Sequence, residues 1–458
     1  MKKTSKALVA ATAGAALFAL TACGGGGGTA ADGFSDEYEG TLSVWGFENA
    51  DEVGTSRIDL ADAKVGESGV EVELEAAAFD AQKFVTRAAS GDIPDVVQMD
   101  RKFVASFAAQ GLVMPLEECF DLYDLDPRER WYPQVVDDVT YEGATYAVPQ
   151  FYQPPAILLN QRVMDEVGVT IDDMDTSDQE TFLAAVEKMT VMNGSNPTRM
   201  GFDPQGPSKA GLWMLSFGGK TIDADGKPAL DDPANVEAIE FLKAIYDLQG
   251  GFANAKSFVD SFDVFGDGNS YVTDQVGAAV FDQWYPNVLT SYAAQVSLAA
   301  TPVKTQGAGE PFTVASGTSF VIPVSAQNPS AACAWLLALT SPEAWQAAGE
   351  ARAETTANDP GRNGINTGLF TGSPEADEAI RDAYVIESTD FPGFNQVIDT
   401  YYAVAASGKS FGASPAGLQI ETELQNAVTA ALLGEKSAEQ ALADAQSAAM
   451  RAYEQVAG

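Results

Sequence analysis

The residues best suited to chemistry fall at the ends of predicted strands. Phe47, Glu48 and Asn49 close a strand over 41–47, and Asp100 and Arg101 follow one over 95–99. Gln150, Tyr152 and Gln153 follow a strand over 146–150, and Asp282, Gln283, Trp284 and Tyr285 follow one over 276–281. Gly317 and Thr318 stand where a strand over 318–323 begins. An aromatic ring recurs beside a carboxylate or an amide. Carboxylates and amides offer paired acceptors and donors to hydroxyl groups, and a flat ring covers the apolar C–H face of a pyranose. The pattern suits a neutral, polyhydroxylated ligand. It also suits a cationic solute such as a polyamine, held by carboxylates and by cation–π contact.

Composition removes other chemistries. The chain has 458 residues and no histidine, so Ser-His-Asp and Cys-His catalysis and His-ligated zinc are excluded. Asp and Glu number 65 against 26 Lys and Arg, a net charge of -39, which repels phosphate backbones and argues against nucleic acid. Asp172-Asp-Met-Asp175 and Asp223-Ala-Asp-Gly226 lack the spacing and the terminal Glu of an EF-hand and read as acidic turns. No metal and no cofactor are expected. A secreted glycoside hydrolase would need two carboxylates flanking the scissile bond, and no feature singles out such a pair.

The elements that must position these residues alternate in type. The strand over 41–47 leads to a weakly helical stretch over 56–64. Val70, Val72 and Leu74 alternate with glutamates in a half-buried strand, 81–89 is helical, and 95–99 is a strand again. That order predicts an α/β fold with a parallel sheet covered by helices, whose ligands bind beyond the carboxyl ends of the strands. Further on, 156–159 reads as a strand, and helices are expected over 182–189 and 236–246. Asn328-Pro329 and Ser341-Pro342 mark two helix starts, the second helix stopping at Gly349. Two Ala-rich helices, 421–433 and 437–456, close the chain.

The first 22 residues read as an address. Lys2, Lys3 and Lys6 precede an apolar run from Ala7 to Leu20, too short to span a bilayer comfortably. Leu20-Thr-Ala-Cys23 resembles a bacterial lipobox, which implies a signal peptide over 1–22 and lipidation of Cys23. Five glycines, 24–28, then read as a tether reaching to about residue 40. The remaining cysteines, Cys119 and Cys333, form either a disulfide or two buried thiols.

Several blocks resemble the extracellular solute-binding proteins of bacterial ABC transporters, in the carbohydrate-binding family that includes maltose-binding protein. They are Gly91-Asp-Ile-Pro-Asp-Val-Val-Gln-Met-Asp-Arg101, Gln110-Gly-Leu-Val-Met-Pro-Leu116, Tyr141-Glu-Gly-Ala-Thr-Tyr-Ala-Val-Pro149 and Gln275-Val-Gly-Ala-Ala-Val-Phe-Asp-Gln-Trp284. Asn328-Pro-Ser-Ala-Ala-Cys-Ala-Trp-Leu336 and Gly434-Glu-Lys-Ser-Ala-Glu-Gln-Ala-Leu442 extend the likeness over essentially the whole mature chain. The resemblance implies a two-lobed periplasmic-binding-protein-like fold with hinge crossings and a ligand cleft. The first lobe would take 36–150 and 320–365, and the second 151–319 and 366–458. Asp100 would fall on a sugar-binding carboxylate, Gln153 where maltose-binding protein has a Glu, and Trp284 on a stacking Trp. Phe47 to Asn49 would fall on a polar loop, and Trp213 near an aromatic segment of the second lobe. The C-terminal aromatic platform has no match near Glu421, where Phe391, Phe394 or Phe411 would stand in. Cys119 and Cys333 would share the first lobe, which favours their pairing.

The implied protein is a monomer and not an enzyme. It would be lipid-anchored on the extracytoplasmic face of the bacterial cell membrane, where it captures a sugar or oligosaccharide and delivers it to the permease subunits of an ABC importer.

Overall fold

The structure, a computed structural model, describes residues 33–47 and 51–457. The leader, Cys23, the glycine run, Glu48 and Asn49 lie outside the described residues. Strands β1 (Gly40–Trp45), β2 (Val70–Glu75) and β3 (Val96–Asp100) precede a short hairpin of β4 (Thr140–Tyr141) and β5 (Ala144–Thr145). β6 (Val148–Tyr152) and β7 (Pro155–Asn160) follow almost without a break. Next come β8 (Val191–Asn193), β9 (Asn196–Asp203), β10 (Val276–Asp282) and β11 (Leu298–Thr301). The last four are β12 (Val303–Lys304), β13 (Pro311–Val314), β14 (Gly317–Val321) and β15 (Gly408–Lys409).

Two five-stranded sheets form, in the orders β2-β1-β3-β14-β6 and β11-β7-β10-β9-β8. β1 runs parallel to both β2 and β3, as the alternation of strands and helices predicts, and β14 joins antiparallel to β3 and β6. The chain crosses from the first sheet to the second between β6 and β7. It returns between β13 and β14. A three-stranded sheet, β12-β13-β15, lies beside these crossings. The architecture is therefore α/β and two-lobed.

Local chemistry accounts for the element boundaries. Asp51 caps the helix Glu52–Gly66 by accepting the Gly54 N–H at 2.9 Å, so the helix starts four residues before its apolar pattern suggests. Asn328 and Ser341 cap the helices Pro329–Leu339 and Pro342–Asn358, each with Pro in the first turn, as the sequence motifs imply. The second helix does not stop at Gly349, contrary to the sequence reading. A Cβ there would come within 2.4 Å of the Tyr384 ring, so this glycine serves close helix packing rather than termination. The buried Asp95 binds the Ser43 N–H and hydroxyl with one oxygen and the Gln327 and Asn328 N–H groups with the other. It thereby fixes β1 against the entrance to a helix almost 300 residues away in sequence.

The two acidic stretches are turns. Residues 172–174 form a single 3-10 turn, and the Asp223 carboxylate accepts the N–H groups of Asp225 and Lys227. Among the described residues no cluster of potential metal ligands occurs, and no helix is long and apolar enough to cross a membrane.

Cys119, on the helix Glu117–Leu122, is joined in a disulfide to Cys333, on the helix Pro329–Leu339, with Cα atoms 5.9 Å apart. The two residues are 214 positions apart in the chain. A loop that long gives a cross-link worth about 5 kcal/mol in the chain-entropy account. Replacement of both cysteines by serine is expected to lower the denaturation midpoint markedly relative to the parent under non-reducing conditions, and reduction of the parent should do the same. An unchanged midpoint would show that the cross-link contributes nothing.

Candidate functional site

The ends of the two sheets, the crossings and the helix Gly417–Leu432 enclose a cavity of about 260 Å³. The first sheet contributes Asp100, at the end of β3, and Lys102 just after it. The second contributes Asp282, at the end of β10, and Lys209, in the turn that follows β9. Gln153, Ser316 and Gly317 come from the crossings, and Glu421 from the C-terminal helix.

The charges are largely paired. Lys209 Nζ donates to Asp282 Oδ1 at 2.6 Å, with both side chains mostly covered. Lys102 Nζ lies 3.5 Å from Glu421 Oε1 in a more exposed contact. Asp100 has no ionic partner within 4 Å among the described residues. Burial raises its carboxyl pKa above the ordinary aspartate value, Lys102 and Arg101 partly offset that, and Glu421 adds to the rise. The side-chain amide of Gln153 makes no hydrogen bond among the described residues, whereas its backbone is fixed to Ser316 in both directions, at 2.8 and 2.9 Å. Asp100 and Gln153 are thus two hydrogen-bonding side chains without partners among the described residues, carried on backbone that β3 and the crossing fix.

Arg101 does something different from its neighbour. Its guanidinium is buried and donates to the carbonyls of Phe151 (2.8 Å), Thr318 (3.1 Å) and Ala315 (2.7 Å). It holds both crossings at once. Gly317 runs beneath it with φ +150°, where a Cβ would sit 2.0 Å from the Phe151 carbonyl oxygen and under 3 Å from the guanidinium. Only glycine fits there without displacement.

Of the sequence-derived site residues, Asp100, Arg101, Gln153, Asp282 and Gly317 line the cavity. Glu48 and Asn49 lie outside the described residues, and Phe47, Tyr152, Trp213, Gln283, Trp284 and Thr318 do not line it. Phe47 is buried and stacks on Phe320 at 5.8 Å, because β1 carries it into the core rather than onto a polar loop. Tyr152 is buried, and its hydroxyl donates to the Ala405 carbonyl at 2.8 Å, which makes it a structural tie. Trp213 is fully buried among Phe202 and Phe241, with its indole N–H on the Pro204 carbonyl. Trp284 is 37 % exposed but stands outside the cavity, lying nearly parallel to the exposed Phe265 at 6.1 Å. Gln283 is half-buried beside it and does not line the cavity, and the Thr318 hydroxyl is enclosed without a partner.

Of the three candidate platform rings, Phe411 lines the cavity. Phe394 is in the core, and Phe391 packs on it. Phe411 lies against Gly211, whose missing Cβ would approach its ring to 2.7 Å. Lys102 and Lys209 were missed. Lys102 was within reach, since it follows Asp100 by two positions. Lys209 was hidden because β9, with its proline, arginine and glycine, does not alternate as a strand should.

A model of the bacterial extracellular solute-binding proteins matches residues 60–360. The chain belongs to that family. Its place there puts this protein outside the cytoplasm and among binding proteins. Solved structures share its fold at low identity. One is the mannobiose-bound CpMnBP1 (TM-score 0.71, 19 % identity, 90 % of this chain and 99 % of that one). A second is a solute-binding protein from Thermotoga lettingae bound to α-D-tagatose (0.68, 21 %, 90 % and 99 %). The third is the GacH receptor of Streptomyces glaucescens, studied with acarbose (0.67, 20 %, 91 % and 99 %).

The geometry around Gly317 carries a direct expectation. Gly317→Ala should cost ~1–3 kcal/mol through the clash with Phe151 and Arg101, read as a fall in the thermal midpoint. Gly66→Ala, at the end of a helix with open space around the added methyl, should be neutral or slightly stabilising. Equal effects of the two would mean that the crossings tolerate displacement at Gly317.

Proposed function

We propose that this solute-binding protein captures a neutral sugar or oligosaccharide in the cavity between its lobes and hands it to an ABC permease. The observation that carries this reading is the Asp100 carboxylate, solvent-accessible at the end of β3 and without an ionic partner among the described residues, which shares with the free Gln153 amide a cavity walled by both sheets. Such groups serve hydroxyls well. The sugars bound by the structural neighbours support the same class of ligand.

The cationic alternative is less well served. Lysines already occupy Asp282 and Glu421, so a polyamine would meet one free carboxylate and two ammonium groups. Binding without turnover follows from the family's role, and the hydrolase reading has no observation in its favour.

Closure of the lobes about the crossings would bury the ligand from both sides. In this reading the lobes divide as the sequence implies, except that the helix Pro374–Tyr384 moves with the first, since it packs on the helix Pro342–Asn358. Lipidation at Cys23 would hold the monomer at the outer face of the membrane, within reach of the permease.

A thermal-shift panel of mono- and oligosaccharides, with polyamines alongside, tests the reading. A ligand that binds only the folded chain raises the melting temperature by mass action. A shift with related glycans alone is the expected result, and a shift with polyamines alone would overturn it. For the glycan so found, Asp100→Ala is expected to weaken binding by at least about tenfold, since a hydrogen bond to a charged group is worth roughly 1.5–3 kcal/mol. Trp284→Ala should change the affinity for a mono- or disaccharide by less than about threefold. Calorimetry would check both, and a reversed order would move the site to the Trp284 surface.

A further inference from the structure

In the wall of the cavity, Arg101 meets Asp138, which ends the helix Pro133–Asp137. Arg101 Nε lies 3.7 Å from Asp138 Oδ2, close enough for an ion pair but too far for a hydrogen bond, and this buried N–H has no other acceptor. Asp138 also meets the Ser410 hydroxyl, in the second-lobe segment just after β15. Asp138 therefore stands between the guanidinium that grips both crossings and a hydroxyl of the second lobe.

We propose that Asp138 is a positioning residue that couples the arrangement of the two lobes to the charge it carries. The proposal rests on the reading that the lobes move about these crossings.

The groups that face Asp138 define the balance. Arg101 approaches from the turn after β3, Tyr152 from β6, Asp137 from its own helix and Ser410 from the C-terminal segment. Asp100 acts on the same guanidinium, while the neighbouring Lys409 is turned away over the Phe312 ring. Burial is the largest influence and pushes the Asp138 pKa up to about 7, with Arg101 and Ser410 offsetting only part of it. The sign follows by linkage. The arrangement seen here binds the proton more tightly than one in which Asp138 is solvated or seated fully on Arg101 Nε. Rising pH through about 7 therefore drives the lobes away from it. If the alternative restores an ordinary carboxylate, the ratio of alternative to observed arrangement rises up to about tenfold between pH 6 and pH 8.

The test needs no ligand. Spin labels at Gln82→Cys and Glu237→Cys, both exposed and one on each lobe, report the inter-lobe distance in a chain carrying Cys23→Ser. With Asp138 intact, a second distance population is expected to grow up to about tenfold from pH 6 to pH 8. Asp138→Asn, a neutral isostere, should hold the pH 6 distribution at both values. Ser410→Ala, which removes the second lobe's tie to Asp138 without changing charge, should broaden the distribution at pH 6. A distribution independent of pH in the parent, or a pH response that survives in Asp138→Asn, would overturn the proposal. Failure of every sugar in the binding panel would instead overturn the ligand reading and leave these distances unaffected.

Discussion

One buried guanidinium organises this protein's cleft. Arg101 spends its two terminal nitrogens on three carbonyls belonging to both strands that cross between the lobes. A buried cation is costly unless its hydrogen bonds are met, and here the backbone meets them. The consequence is positional. Asp100 precedes Arg101, Gln153 follows the gripped Phe151 by two residues, and Ser316 and Gly317 lie between the gripped Ala315 and Thr318. Asp100, Gln153, Ser316 and Gly317 are thus neighbours, in sequence, of Arg101 or of the atoms that it holds. Gly317 is the steric counterpart of that grip.

The second constraint is electrostatic. The chain is strongly acidic, with 39 more negative than positive charges, yet three of its cations meet at the cleft. They pair with Asp282, Glu421 and Asp138 and leave Asp100 without an ionic partner among the described residues. Such an arrangement favours recognition of hydroxyl groups over attraction of charge, because most of the field is cancelled within the walls. The acidic exterior then serves solubility.

Much of the first lobe was legible in the sequence because strands such as β2 alternate and two of its helices carry readable caps, Asn328 and Ser341. The rule that ligands lie past strand ends found Asp100 and Asp282, and Gln153 came from the segment after β6. The same rule failed for aromatic rings. Phe47 and Tyr152 are near strand ends but bury their faces in the core, as does Trp213, which the family resemblance suggested, and no periodicity distinguishes a ring that supports the core from one that supports a ligand. β9 was invisible for want of alternation, and Lys209 with it. Arg101 was noticed only as a neighbour of Asp100. Its role depends on carbonyls 50 and more than 200 residues away, a long-range juxtaposition that a local pattern cannot express.

The most direct test of the account is a crystal structure of the protein with the carbohydrate that stabilises it most. The account predicts density for the sugar inside the cavity, with ring hydroxyls within hydrogen-bond distance of the Asp100 carboxylate and the Gln153 amide, and Arg101 still on its three carbonyls. Density on the Phe265–Trp284 surface with an empty cavity, or a sugar bound by an Arg101 that has left the crossings, would contradict it.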